Sequence, residues 1–188
     1  WERFWDTTGA PPHEEAIRLP VLDPTWTSLL SNLEFQRDDF LIVELASGSG
    51  SVSKHLQNKR QFTRATKVAF DASTSALKRL QLGELPVSGD LERLPFARDS
   101  VDLLTSQFGV EYAGVSSIEA ALDYVAPSGY FIFLLHIANG VIFDECGKNL
   151  AAVEGFLNSG FVDTARALLF ALWSRAPKSE QELLLKQF

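Results

Sequence analysis

The stretch Leu41–Gly50, LIVELASGSG, decides the reading of this chain. Phe40 to Leu45 is an apolar run of strand length, and it ends in a loop of small residues. Such a run, bounded by Gly and Ser, suits a parallel strand covered on both faces. Gly48 and Gly50 allow backbone angles that other residues resist, and they leave open space for a ligand. A helix is expected from about Ser51 to Arg60, with Val52 and Leu56 facing the sheet. The N–H groups at its start would point where an α/β sheet places a nucleotide-like ligand. A bare strand-to-helix turn would look similar, but two acids favour a site. Glu44 sits inside the apolar strand, where a carboxylate is costly unless paired or used. Asp71 ends a second short strand, Lys67–Phe70, near the spacing of ~20 residues expected for an acid that takes a ribose diol.

Outward from this stretch, the pattern alternates. Ser73 or Thr74 can cap a short helix with Leu77 and Leu80 inward, and Gly83 suits its stop. Third, fourth and fifth strands are expected at 85–88, 101–106 and 130–135. A helix is expected over Ser117–Val125, before Pro127–Gly129. Strands alternating with helices predict a doubly wound, mostly parallel α/β sheet, Rossmann-like, within a single domain over 1–188. Within it, 39–137 reads as the binding core, 1–38 as an aromatic arm or lid, and 138–188 as a helical C-terminal region. The arm carries Trp1, Phe4, Trp5 and Trp26, broken by Pro11, Pro12, Pro20 and Pro24. It would either pack on the core or cover a ligand. His13 reads as solvated.

The 188 residues suffice for one core. A net charge of −7 and a pI near 5.0 argue against a nucleic-acid partner. The single cysteine, Cys146, excludes an intrachain disulfide and suits a cytoplasmic setting. It reads as a buried small hydrophobe. No apolar run reaches the ~20 residues of a membrane span, and WERFWD does not resemble a signal peptide. His13, His55 and His136 are isolated, so no metal site is expected. The sequence begins at Trp1 and has no Met, so either the composition is unusual or residues are missing from it.

Four segments, in order, resemble the successive motifs of class I S-adenosylmethionine-dependent methyltransferases of the type 11 kind. They are ELASGSG at 44–50, FD at 70–71, GDLERLPF at 89–96 and SVDLLTSQFGVEY at 100–112. Pro127–Gly129 resembles the family's turn before the fifth strand. The resemblance covers about residues 40–137. It implies S-adenosyl-L-methionine as cofactor, with Glu44, Ala46, Ser47, Gly48 and Gly50 around its amino-acid part. It implies Asp71 on the ribose hydroxyls, Ala72 beside the adenosine, and Asp90 with the Leu91 N–H on the adenine. Ser106, Gln107 and Phe108 would line the pocket near the reacting methyl. Candidates for a general base are His136, Glu111 and Tyr112. His136 reads equally well as an ordinary hydrogen-bonded strand-end residue, whereas Asp99 and Asp102 read as turn and strand-entry residues.

The implied activity is methyl transfer to a small-molecule acceptor, by a monomer or homodimer with no membrane partner. The family's sixth and seventh strands have no counterpart after Leu135, where the pattern turns helical. Either the chain stops short of them or the sheet edge is truncated, which would favour a dimer. Two other readings stand beside the first. An NAD(P)-dependent oxidoreductase would share the glycine turn and Asp71, but the third glycine of its fingerprint is Ser53. A non-catalytic binding protein could use the same fold.

Overall fold

The computed structural model describes residues 2, 21–35, 39–57, 59–80 and 83–186. Trp1, Phe4, Trp5 and His13 of the expected arm lie outside them. The chain divides between Leu135 and His136 into two compact units.

The first unit is built on five parallel strands: β1 (Leu41–Leu45), β2 (Thr66–Asp71), β3 (Leu85–Ser88), β4 (Val101–Gln107) and β5 (Val125–Leu134). They lie in the order β3-β2-β1-β4-β5, all neighbours parallel. This is the doubly wound sheet that the sequence predicts. Both faces are covered, which explains the near-continuous apolar runs. Along β1, Ile42 joins one buried cluster, with Trp26, Leu30, Phe40, Val52, Leu56, Phe62 and Leu103. Val43 and Leu45 join the other, with Phe70, Leu94, Leu104 and Val110. Each such fully buried side chain contributes roughly 1.5–3 kcal/mol, so Leu103→Ala in β4 would cost about 2–5 kcal/mol.

Helix α1 (Leu22–Ser31) packs through Trp26 and Leu30, four residues apart and both fully buried. Of the two roles expected for the arm, this described portion fulfils the packing one. Helix α2 is shorter than expected, Ser53–Leu56, followed by a 3₁₀ turn at Arg60–Phe62. Val52 and Leu56 are buried as anticipated. Helix α3 (Thr74–Leu77) is capped by Ser73, whose Oγ accepts the Ala76 N–H at 3.2 Å. Asp102 accepts the Leu41 N–H at 2.8 Å, and Asp99 takes a turn conformation with φ 57°. Both fit their expected structural roles.

Two expectations fail near β5. Helix α4 runs Val115–Leu122 and not to Val125, which pairs with Val101 in the sheet. Pro127–Gly129 lies within β5 and not before it. The register shifts there from Val101↔Val125 to Leu103↔Tyr130, leaving three extra residues on β5. A bulge thus absorbs the Pro-Ser-Gly segment while pairing continues on both sides. Gly129 is required in it, because a Cβ there would come within 2.9 Å of the Val101 carbonyl oxygen.

The second unit is helical: α5 (Val141–Asn158), α6 (Phe161–Trp173) and α7 (Lys178–Leu185). No strand occurs among its described residues, in keeping with the sequence pattern. Cys146 is exposed, against the expectation of burial. It lies on α5, whose described side chains are exposed along the whole helix, so apolar spacing there does not translate into a buried face. Gly160, with φ 74°, stands at the start of α6, and Asp163 lies in its first turn. No helix among the described residues is long and apolar enough to cross a membrane.

Candidate cofactor site

In an open α/β sheet, ligands bind at the carboxyl ends of the strands, where the strand order reverses. Here that point lies between β1 and β4. The loop after β1 is held from beneath by Glu44. This side chain is 1% exposed, and its Oε1 accepts the Val52 N–H at 2.8 Å. Its Oε2 accepts the Ser53 N–H at 2.9 Å and the Ser53 hydroxyl at 2.6 Å. The costly carboxylate in the strand is therefore paired, and it ties the loop and the start of α2 back to the sheet. Burial nonetheless pushes its pKa up to about 7, against the three hydrogen bonds that favour the charged form.

Ala46, with φ 48°, turns the chain out of β1. The Ser47 N–H bonds the Phe70 carbonyl at 3.1 Å, anchoring the loop to β2. Gly48 follows with φ 55° and donates its N–H to Asp71 Oδ2 at 2.8 Å. Asp71 Oδ1 accepts the Ser73 N–H at 2.8 Å. Each carboxylate oxygen has capacity for a second donor, so Asp71 can take a diol without releasing the loop. Gly50, at φ 93°, closes the turn. Ala72, directly after Asp71, is exposed.

The β3 end contributes Gly89, whose N–H bonds the Asp71 carbonyl at 3.1 Å. A Cβ at Gly89 would lie 2.7 Å from the Phe70 ring, so only glycine lets this backbone pass over Phe70. Asp90 is exposed, and its Oδ1 accepts the Glu92 N–H at 3.0 Å, while Leu91 is half-buried.

On the β4 side, Ser106 is fully buried and its Oγ accepts the Val110 N–H at 3.2 Å. Gln107 Oε1 accepts the Trp26 indole N–H at 2.6 Å. Phe108 takes φ 54° and donates its N–H to the Leu134 carbonyl at 2.8 Å. Glu111 and Tyr112 lie in the 3₁₀ turn Val110–Ala113. Glu111 is half-buried, whereas Tyr112 is 63% exposed. His136 lies just past the end of β5 at Leu134, at the start of the second unit.

The strand ends thus bring together the loop residues 46–50, Asp71 and the 106–108 segment, with Asp90 following β3. Sequence reasoning missed three contributors. Gly109 packs against Ala46 of the β1 loop: a Cβ there would be 2.6 Å from Ala46 Cβ. Trp26 reaches Gln107 across 81 positions of chain, a relation without a local signal. Ser53, read as a failed glycine of a dinucleotide fingerprint, is the main partner of Glu44. A shallow depression bordered by Phe35, Asp99, Asp102 and Pro127 contains none of the expected site residues.

These residues fit an adenosyl-methionine cofactor. Ser47 Oγ is buried with no hydrogen-bond partner in the protein, a donor and acceptor left over inside the loop. Asp71 offers unused acceptor capacity, and the positive-φ turn keeps side chains out of the crevice.

Comparison with known proteins agrees with this geometry. Residues 43–133 match the family described as methyltransferase domain. The malonyl-[acyl-carrier protein] O-methyltransferase of Dechloromonas aromatica (strain RCB) is 33% identical over 89 residues, 47% of this chain and 33% of that protein. The match therefore spans a third of that relative's length. A proposed S-adenosylmethionine-dependent methyltransferase of Methanococcus maripaludis superposes with a TM-score of 0.54 at 14% identity, over 93% of this chain and 78% of that one. Phosphoethanolamine N-methyltransferase 1 of Haemonchus contortus, solved with phosphoethanolamine and S-adenosylhomocysteine, superposes at 0.51 and 19% identity, over 70% of this chain and 30% of that one. At those identities the two structures speak to fold alone. With its motifs in order on the strand ends that meet at the crevice, the stretch 43–133 matches the methyltransferase domain family and has the class I fold.

Proposed function

We propose that this chain transfers the methyl group of S-adenosylmethionine to a small-molecule acceptor. The observation that carries the reading is the glycine loop fixed at both ends by carboxylates, Glu44 beneath it and Asp71 across from Gly48, at the point where strand order reverses. When bound, the cofactor supplies an already activated methyl on a sulfonium.

The protein's part is then to bind, orient and exclude water. Ala46, Ser47, Gly48 and Gly50 would wrap the amino-acid part, with Glu44 acting through the loop it holds. Asp71 would accept the ribose hydroxyls, with Ala72 beside the adenosine. Asp90 and the Leu91 N–H would face the adenine. Ser106, Gln107 and Phe108 would border the reacting end, where Trp26 fixes the Gln107 amide. Glu111 is the better placed of the two β4-side base candidates, because Tyr112 is largely exposed.

A net charge of −7 favours a small acceptor over a polyanion. The Dechloromonas relative is named for an oxygen acceptor, so carboxylates and hydroxyls come first in an acceptor panel. The test is calorimetric titration with S-adenosylmethionine and S-adenosylhomocysteine, with NAD and NADP as controls. Binding of the first pair alone is expected. Binding of NAD or NADP instead would overturn the reading.

A further inference from the structure

Gln107, the last residue of β4, has its side chain oriented by a single hydrogen bond. Its Oε1 accepts the indole N–H of Trp26 at 2.6 Å, and Trp26 is fully buried. An indole nitrogen can only donate, so the atom facing it must be the amide oxygen. The amide nitrogen then occupies the other corner of a rigid plane, turned away from the indole. It is neither buried nor bonded to any described residue, so its two N–H groups open to solvent.

The sheet sets where this nitrogen stands. Glu44 and Thr105 are partners across β1 and β4, so two residues further along each parallel strand come Ala46 and Gln107. Ala46 is the residue at which the glycine loop leaves β1, and Gly109 packs on it from the β4 side. Alternation along β4 puts Gln107 on the face of Leu103, which clusters with Trp26, Leu30 and Val52. The amide therefore stands at the rim of the crevice, on the α1 side. Ser106 faces the other way, and its hydroxyl is engaged by the Val110 N–H.

A held amide discriminates where a loose one does not. A free glutamine exchanges donor for acceptor by turning its amide through half a turn. Here that turn would set one donor against another, at the cost of leaving the indole N–H unsatisfied. Accepting at the oxygen also polarises the amide and strengthens its N–H groups as donors. At this point the crevice offers a ligand two donors and no acceptor.

We propose that Gln107 is a specificity-determining residue of the acceptor site: its amide N–H groups bind a carbonyl or carboxylate oxygen that the methyl acceptor carries close to the methylated atom, and they disfavour a protonated amine in that place. The inference rests on the reading of this crevice as a methyl-transfer site. The polarity of the amide is a property of the protein alone. Gln107→Glu inverts that polarity: one carboxylate oxygen can keep the indole N–H, and the other puts an acceptor and a negative charge where the N–H groups stood.

The experiment follows the side-chain amide signals of ¹⁵N-glutamine-labelled protein saturated with S-adenosylhomocysteine. The Gln107 signal is identified by its loss in Gln107→Glu. The probes are acetate, acetone and ethylammonium. The signal should move with acetate or acetone and stay in place with ethylammonium. Movement with acetate alone assigns a carboxylate, and movement with both assigns a carbonyl oxygen in general. A signal that moves as far with ethylammonium, or with no probe, overturns the proposal. Trp26→Phe releases the amide oxygen and should bring the responses to acetate and ethylammonium closer together; an unchanged preference would mean that the indole does not set the polarity. In parallel, carboxylic acids, hydroxy ketones and simple primary amines are offered as methyl acceptors, with S-adenosylhomocysteine release as readout. Gln107→Glu should raise KM for the oxygen-bearing acceptors about tenfold or more. Turnover of the simple amines alone would overturn the proposal, and where nothing turns over the probe titration decides. If S-adenosylhomocysteine does not bind, the cofactor reading fails, and the same titration of the free protein still judges Gln107.

Discussion

The two sides of the crevice are built by different means. On the β1–β2 side, charge does the positioning: Glu44 and Asp71 between them accept five donors from the loop and from the segments that follow. On the β4 side, shape does it. Phe108 is held at positive φ, Gly109 touches Ala46, and the polar contacts are Ser106 to a backbone N–H and Gln107 to an indole. The first arrangement suits a fixed ligand with hydroxyl and amine groups. The second meets its neighbours through close packing and two side-chain hydrogen bonds.

This contrast can be broken by substitution. The largest effect is expected for Gly109→Val, which drives a branched side chain into Ala46. Overpacking of this kind costs roughly 1–3 kcal/mol or more, and S-adenosylhomocysteine binding should disappear with it. Denaturant unfolding and calorimetry on the same protein would show both losses, and normal binding would mean the two loops do not share one geometry. Next comes Glu44→Ala, which strands buried donors on Val52 and Ser53 at a cost of about 1–3 kcal/mol, read from the denaturation midpoint. A neutral outcome would mean that relief of the buried charge offsets the lost bonds.

Asp71→Ala should act on binding more than on folding, weakening cofactor affinity by on the order of 1–3 kcal/mol. Unchanged affinity would remove the ribose role. Trp26→Phe keeps most of the packing and deletes one hydrogen bond, so about 0.5–1.5 kcal/mol of stability is expected to go. Its more useful readout is turnover: a change in acceptor KM with cofactor affinity intact would place Gln107 on the acceptor side of the contrast.

The same division explains what could be read from the sequence. β1, β2 and β4 lie within a residue of their expected bounds, because buried parallel strands are continuous apolar runs, and the largely exposed β3 matches at 85–88. Glu44 and Asp71 were legible because a carboxylate at an apolar strand's end stands out. β5 was cut short because Pro127 and Gly129 are local turn signals, and pairing with β4 around the bulge overrides them. Helix α2 was drawn too long because the chain leaves the α-helix after Leu56 and tightens into a separate 3₁₀ turn at Arg60–Phe62. Trp26 and Gly109 act through contacts between distant segments, and neither periodicity nor spacing encodes those.

The contact between Gly109 and Ala46 also has a consequence for inheritance. Every codon change that replaces glycine adds at least one carbon, so no missense variant at position 109 is sterically silent. Drift at position 109 is blocked unless Ala46 moves first, and glycine has nothing smaller to become.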